Sequence, residues 1–174
     1  LKIINDPLPN TLLNCYSGTS PTLYCAKSIR KSKGCNTKLF VEDFSLALEL
    51  SKLGNFAFID NISSIGPKND ENRIMVNNEG QLFHDYNAAI YYFLKKNDLN
   101  NFNLLKKITN KCLGRSEKFG RRILKKTVYN KMNFLRLKLF FNTRNNNELI
   151  DMIKESCLFF YEKHNHQKIR YKIK

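Results

Sequence analysis

The chain has no tryptophan and, across 174 residues, only seven glycines, four prolines and three histidines. Without tryptophan, a helix lying in a membrane interface loses its usual anchor. No stretch of about 20 apolar residues runs without a charge, which excludes a membrane-spanning helix of the ordinary kind. Of the histidines, His164 and His166 sit near the end of the chain, and none belongs to an H-E-x-x-H pattern. The G-x-S-x-G and P-loop spacings are missing too, so no catalytic class is signalled and the reading is of a protein that is not an enzyme. The five cysteines, Cys15, Cys25, Cys35, Cys112 and Cys157, include no C-x-x-C pair able to bring two thiolates to one zinc ion. No metal and no cofactor is expected. Their odd number favours reduced thiols and an intracellular, reducing compartment: cytoplasm, nucleus or organelle matrix. The sequon Asn61-Ile62-Ser63 arises readily by chance in a chain with 23 Asn and does not change that reading. The start at Leu1 reads as a processed or partial chain from which any targeting peptide is already gone.

Acidic residues are also scarce: 15 Asp and Glu stand against 30 Lys and Arg, for a net charge of +15. The imbalance is local. Residues 1–94 carry nine basic and nine acidic residues, residues 95–140 carry 14 and two, and residues 141–174 carry seven and four. A chain with 23 Asn, whose basic residues include 22 Lys, has the bias of an AT-rich genome, which inflates Lys without any selection for a polyanion. That bias does not inflate Arg, yet four of the eight Arg, namely Arg115, Arg121, Arg122 and Arg136, fall between positions 115 and 136.

With 42% apolar and 12% aromatic residues the chain folds. The pattern predicts an α+β protein. Its amino-terminal half is a small mixed or antiparallel β-containing lobe with one helix, and its carboxy-terminal half is basic and helical. The division falls at 1–84 and 85–174, packed as one domain or as two small lobes. Short β-prone pieces at 1–4, 11–16, 22–26 and 37–41 are punctuated by Pro7, Pro9, Gly18, Pro21 and Gly34. A helix is predicted over 42–53, opened by Glu42 and Asp43 and stopped by Gly54, then a strand over 55–62 and a hairpin pairing 73–76 with 81–83. Asp85 is read as the N-cap of an amphipathic helix carrying Tyr86, Ala89, Ile90, Phe93 and Leu94. Asp98 is read as the cap of a second, ending at Gly114. From Ser116 a third, strongly basic helix is favoured over the strand that the alternation at 134–140 also allows. A fourth helix spans 148–161, with Leu149, Ile153, Cys157 and Phe160 on one face.

A polyphosphate is held by Lys and Arg that displace condensed counterions, and Arg adds planar bidentate contacts. The candidate interface is Arg115, Lys118, Arg121, Arg122, Lys125, Lys126, Lys131, Arg136 and Lys138. Tyr129 shares a helix side with Arg122 and Lys125 and is placed to stack on an unpaired base. Arg30, Lys31 and Lys33 form a secondary basic loop. Cys25 and Cys35 near those cations read as packing thiols rather than nucleophiles, and the His84-Asp85 pair reads as structural. The function expected is non-enzymatic nucleic-acid binding, with RNA favoured over DNA, by a structural component of a ribonucleoprotein such as a ribosome or organellar ribosome. Other proteins of a larger complex are expected as partners. Two further readings stay open: a protein-interaction or structural subunit of a viral or parasite assembly whose lysines reflect genome composition, and a DNA-binding protein, which lacks helix-turn-helix spacing. If the thiols are reduced, dithiothreitol will leave the melting temperature unchanged and the non-reduced intact mass will show no two-unit deficit per bond; either shift would assign a disulfide.

Overall fold

A computed structural model of the chain describes residues 1–14, 22–61, 65, 78–122, 129–143, 145–161 and 172–173. Among them are seven α-helices and one two-stranded antiparallel sheet, a helix-dominated α+β fold. The chain divides into two compact units, Leu1–Val76 and Asn77–Lys174.

In the first unit, β1 (Lys2–Ile4) pairs with β2 (Phe56–Phe58), Lys2 opposite Phe58 and Ile4 opposite Phe56. Three helices accompany this ribbon, where the sequence pattern predicts one: α1 (Leu8–Asn14), α2 (Ala26–Ser32) and α3 (Glu42–Leu50). The prolines explain α1. A proline in the first helical turn lacks only an N–H that would have no partner anyway, so Pro9 opens a helix as readily as it breaks one. The Pro7 carbonyl accepts both the amide and the hydroxyl of Thr11 at 2.8 Å, burying Thr11 beside Leu12. Residues 11–14 are therefore helix and not strand. The apolar face of α3, with Phe44, Ala47, Leu48 and Leu50, is buried as the periodicity of 42–53 predicts. The β-prone residues at 22–26 lead into α2, and those at 37–41 form a turn that buries Leu39 and Val41 rather than a strand.

The second unit holds α4 (Glu79–Lys96), α5 (Phe102–Arg122), α6 (Tyr129–Phe141) and α7 (Asn146–Leu158), with a 3-10 turn at Phe159–Tyr161. Here α4 begins well before the cap position assigned to Asp85. The Asn78 carbonyl accepts the Leu82 amide at 2.9 Å, so 81–83 is helix rather than hairpin, and a division at 84/85 would cut α4. The other expected hairpin strand, 73–76, lies outside the described residues. Asp85 is completely buried inside α4 and caps nothing. The second helix is capped by Asn101, whose Oδ1 accepts the Leu104 amide at 2.9 Å, rather than by Asp98. Asn145 does the same for α7, accepting the Glu148 amide at 2.9 Å, with Glu148 in the favourable first turn.

The largest departure from the sequence reading is the length of α5. Gly114 does not end it, and Ser116 lies buried in its interior. The run 134–140 is helical, as favoured, and the expected buried face of the last helix, Leu149, Ile153, Cys157 and Phe160, is buried. Helices α4, α5 and α7 pack on one another around Ala88, Ile90, Leu105, Ile108, Leu113, Leu149 and Ile153, and α6 lies against α5 and α7.

One amide stitches the three core helices. Asn87 of α4 directs Nδ2 at the Cys112 carbonyl (3.0 Å) and Ser116 Oγ (3.3 Å) of α5, and at Ser156 Oγ (3.0 Å) of α7. Its Oδ1 accepts from the Arg115 guanidinium at 3.1 Å. Ser116 Oγ passes the connection on, donating to the Ser156 carbonyl at 2.8 Å. Because α5 is continuous and a Cβ built at Gly114 meets nothing within 4 Å, Gly114→Ala is expected to raise stability by about 0.5–1 kcal/mol, measured by chemical denaturation. A helix that ended at Gly114 would be destabilised by the same change.

Candidate nucleic-acid interface

Seen down its axis, α5 has two distinct sides. Leu105, Ile108, Cys112, Ser116, Phe119 and Gly120 are buried, while Lys107, Lys111, Lys118, Arg121 and Arg122 are exposed on the opposite side. Lys107, Lys111, Lys118 and Arg122 are spaced four, seven and four residues apart, which keeps them in one line. At 1.5 Å per residue the line is roughly 22 Å long. The sequence reading includes only Lys118 and Arg122 of this line. A helix broken at Gly114 separates Lys107 and Lys111 from them, although the spacing itself is visible in the sequence.

The remaining candidates have varied surroundings. Arg115 is turned inward and half-buried, bonded to Asn87 with its guanidinium 5.5 Å from the centre of the Tyr86 ring. Glu117, nearly buried, takes Arg121 from one turn further along α5 and Arg136 from α6. Arg136 also donates from Nε to Asn110 Oδ1 at 3.1 Å. Lys131 of α6 pairs with Glu155 of α7 at 2.9 Å. The few acids near this region neutralise only some of its cations: Glu117 lies between two arginines, and Glu155 reaches a lysine from the next helix. Lys118, Arg122 and Lys138 point outward and form no ion pair among the described residues. Lys125 and Lys126 lie outside the described residues, and so does the side chain of Tyr129, the first residue of α6.

Arg30, Lys31 and Lys33 do not form a loop. Arg30 and Lys31 occupy the last turn of α2, where cations suit the carbonyl end of a helix, and Lys33 is its C-cap with φ 65°. Gly34 follows with φ 83° and donates its amide to Ser32 Oγ at 3.3 Å. Cys25 precedes α2 and is exposed rather than packed; the Ser28 amide and hydroxyl hold its thiol below the ordinary value. Cys112 and Cys157 do pack, and burial pushes the Cys112 thiol up to about 11 and that of Cys157 well above its usual value. Cys25, Cys35, Cys112 and Cys157 are all free thiols, and Cys15 lies outside the described residues.

The His84-Asp85 pair, inside α4, belongs to a buried hydrogen-bonded group and not to a helix cap. Neighbours on a helix usually diverge, yet His84 Nδ1 lies 2.5 Å from Asp85 Oδ1, and both side chains are fully buried. His84 Nε2 meets the Tyr161 hydroxyl at 2.6 Å, that hydroxyl accepts the Ile173 amide at 2.6 Å, and Gln81 Nε2 donates to Asp85 at 2.7 Å. Burial raises the Tyr161 pKa, so its hydroxyl keeps its proton within this group. With the Tyr161 oxygen and both ring nitrogens of His84 engaged, the group holds α4 to the end of α7.

No protein-family model, curated protein or solved structure matches the chain. No helix among the described residues is long and apolar enough to cross a membrane. Glu117 holds α6 to α5 in this arrangement, so Glu117→Gln is expected to cost about 1–3 kcal/mol of stability. In a thermal double-mutant cycle it should be strongly non-additive with Arg136→Gln; additive losses would show that the pair does not couple the helices.

Proposed function

We propose that this chain is a non-enzymatic RNA-binding component of a ribonucleoprotein, such as a ribosomal or organellar ribosomal subunit, and that the Asn77–Lys174 unit is its binding part. The observation that carries the reading is the outward line of Lys107, Lys111, Lys118 and Arg122 on α5. These side chains point away from the core, and no acidic residue shares their side of the helix. A row of cations roughly 22 Å long meets successive phosphates of a strand and gains affinity from the counterions it displaces. The unit concentrates charge accordingly, with 21 Lys and Arg against eight Asp and Glu in residues 77–174, compared with nine against seven in residues 1–76. Amphipathicity alone turns the polar residues of α5 to that side; what supports the reading is that every charged residue among them is a cation.

Location should therefore matter more than total charge. Changing Lys107, Lys111, Lys118 and Arg122 together to Gln should remove most affinity for RNA and flatten the dependence of log K on log salt, by roughly 0.7–0.9 for each phosphate no longer neutralised. Changing Lys2, Lys27, Lys38 and Lys52 of the first unit to Gln removes the same charge and should leave binding nearly intact. Electrophoretic titration of both variants against RNA and DNA at two salt concentrations measures this. Equal losses from the two sets would refute the assignment, and a clear preference for duplex DNA would replace RNA as the ligand.

A further inference from the structure

Helix α6 carries a surface that the α5 line does not account for. Phe134, Leu137 and Phe141 follow one another at i, i+3 and i+7 and so share one face of the helix. All three are well exposed, Phe134 65%, Leu137 59% and Phe141 80%. Large apolar side chains gathered in water on one helix face mark a binding surface. Two lysines lie nearby. Lys138 borders the face, and Phe140, also exposed, has the Lys106 ammonium 5.8 Å from its ring centre and 3.3 Å from its carbonyl oxygen. Helix α6 contains no Asp or Glu, and Glu117, the sole acid of α5, is buried.

Exposed rings with lysines nearby, beside a line of further cations on the neighbouring helix, suit one ligand chemistry better than others. An unpaired nucleic-acid strand offers flat bases and phosphates in alternation, the bases stacking on rings and the phosphates meeting Lys and Arg. A duplex keeps its bases stacked inside and would use the cations alone. A purely apolar protein helix would cover the rings and leave the Lys106 and Lys138 charges to be desolvated without an anion to meet them. We infer that the α5–α6 pair binds an unpaired RNA strand, with Phe134, Phe140 and Phe141 stacking its bases while Lys106, Lys138 and the α5 line hold its phosphates. The inference rests on the nucleic-acid reading above and adds to it the class of RNA recognised.

The test compares the full chain with Phe134→Ala/Phe141→Ala on a single-stranded RNA and a duplex RNA of equal phosphate number. The wild type should prefer the single strand. The double variant, altered only at exposed positions, should keep its melting temperature, lose roughly tenfold or more on the single strand, and change little on the duplex. In a second variant, Phe141→Trp, the new indole is the only one in the chain, and its fluorescence should be quenched by the single strand and not by the duplex. Equal losses on both RNAs, no loss on either, or an unquenched indole with the single strand bound would overturn the inference. So would an unchanged strand preference together with loss of self-association or of binding to an acidic amphipathic peptide, which would assign the rings to a protein contact. Equal wild-type affinity for both RNAs, with the α5 quadruple variant still defective, defeats this inference alone; no wild-type binding to either RNA defeats the functional reading as well.

Discussion

The second unit is organised by the need to satisfy one buried amide. Asn87 has no exposed surface, and its side chain meets partners on two other helices. A buried polar group without partners costs about 1–3 kcal/mol. The three helices therefore have one register in which Asn87, Ser116, Ser156 and the Cys112 carbonyl are satisfied together, and sliding any helix by a turn leaves several unpaired. Leu, Ile and Phe contacts supply most of the burial in this core but tolerate many packings. The amide selects among those packings and also recruits Arg115, which composition alone would assign to the surface.

Acids act on α6 as the amide acts on the core. A helix as basic as α5 repels another cationic helix laid beside it. Glu117 relieves that repulsion from a nearly buried position by taking an arginine from each helix, and Glu155 ties Lys131 to α7. Few acids suffice because each is placed against cations. The cations divide accordingly: Arg115, Arg136 and Lys131 join helices and Arg121 pairs within α5, while Lys107, Lys118, Arg122 and Lys138 face outward.

How much of this is legible in the sequence depends on whether local pattern or tertiary context decides the outcome. Periodicity identifies α3 and the apolar face of α7, because each is settled by spacing along the chain; at 134–140 the alternation fits a strand as well, and the favoured helix is what forms. It fails where small polar residues belong to the core. Ser116 and Asn87 interrupt the apolar pattern of α5 and α4, and both are buried because they bond to one another across the helices. Gly114 and Ser116 together resemble an end and a new beginning, which hides the alignment of Lys107 and Lys111 with Lys118. In the first unit the prolines and β-prone residues point to strands, but Pro9 sits in a first turn where its missing donor is harmless. Glu117 can be read from spacing as an i,i+4 partner of Arg121; its bond to Arg136, on a different helix, depends on how α6 lies against α5.

The link between His84 and Tyr161 spans 77 residues. At ordinary rates of protein synthesis, roughly 5–20 residues per second, about 4–15 s pass between the emergence of the imidazole and that of the phenol that completes its bonding. Through most of that interval α4 lacks the helix α7 that covers its apolar side, and to its end it lacks the phenol that His84 meets. The nascent chain thus presents a hydrophobic surface with an unsatisfied polar centre, a state that attracts chaperones and that aggregation exploits. Closing this unit waits on its last helix, and is governed by the order in which its helices are made rather than by the intrinsic speed at which each one forms.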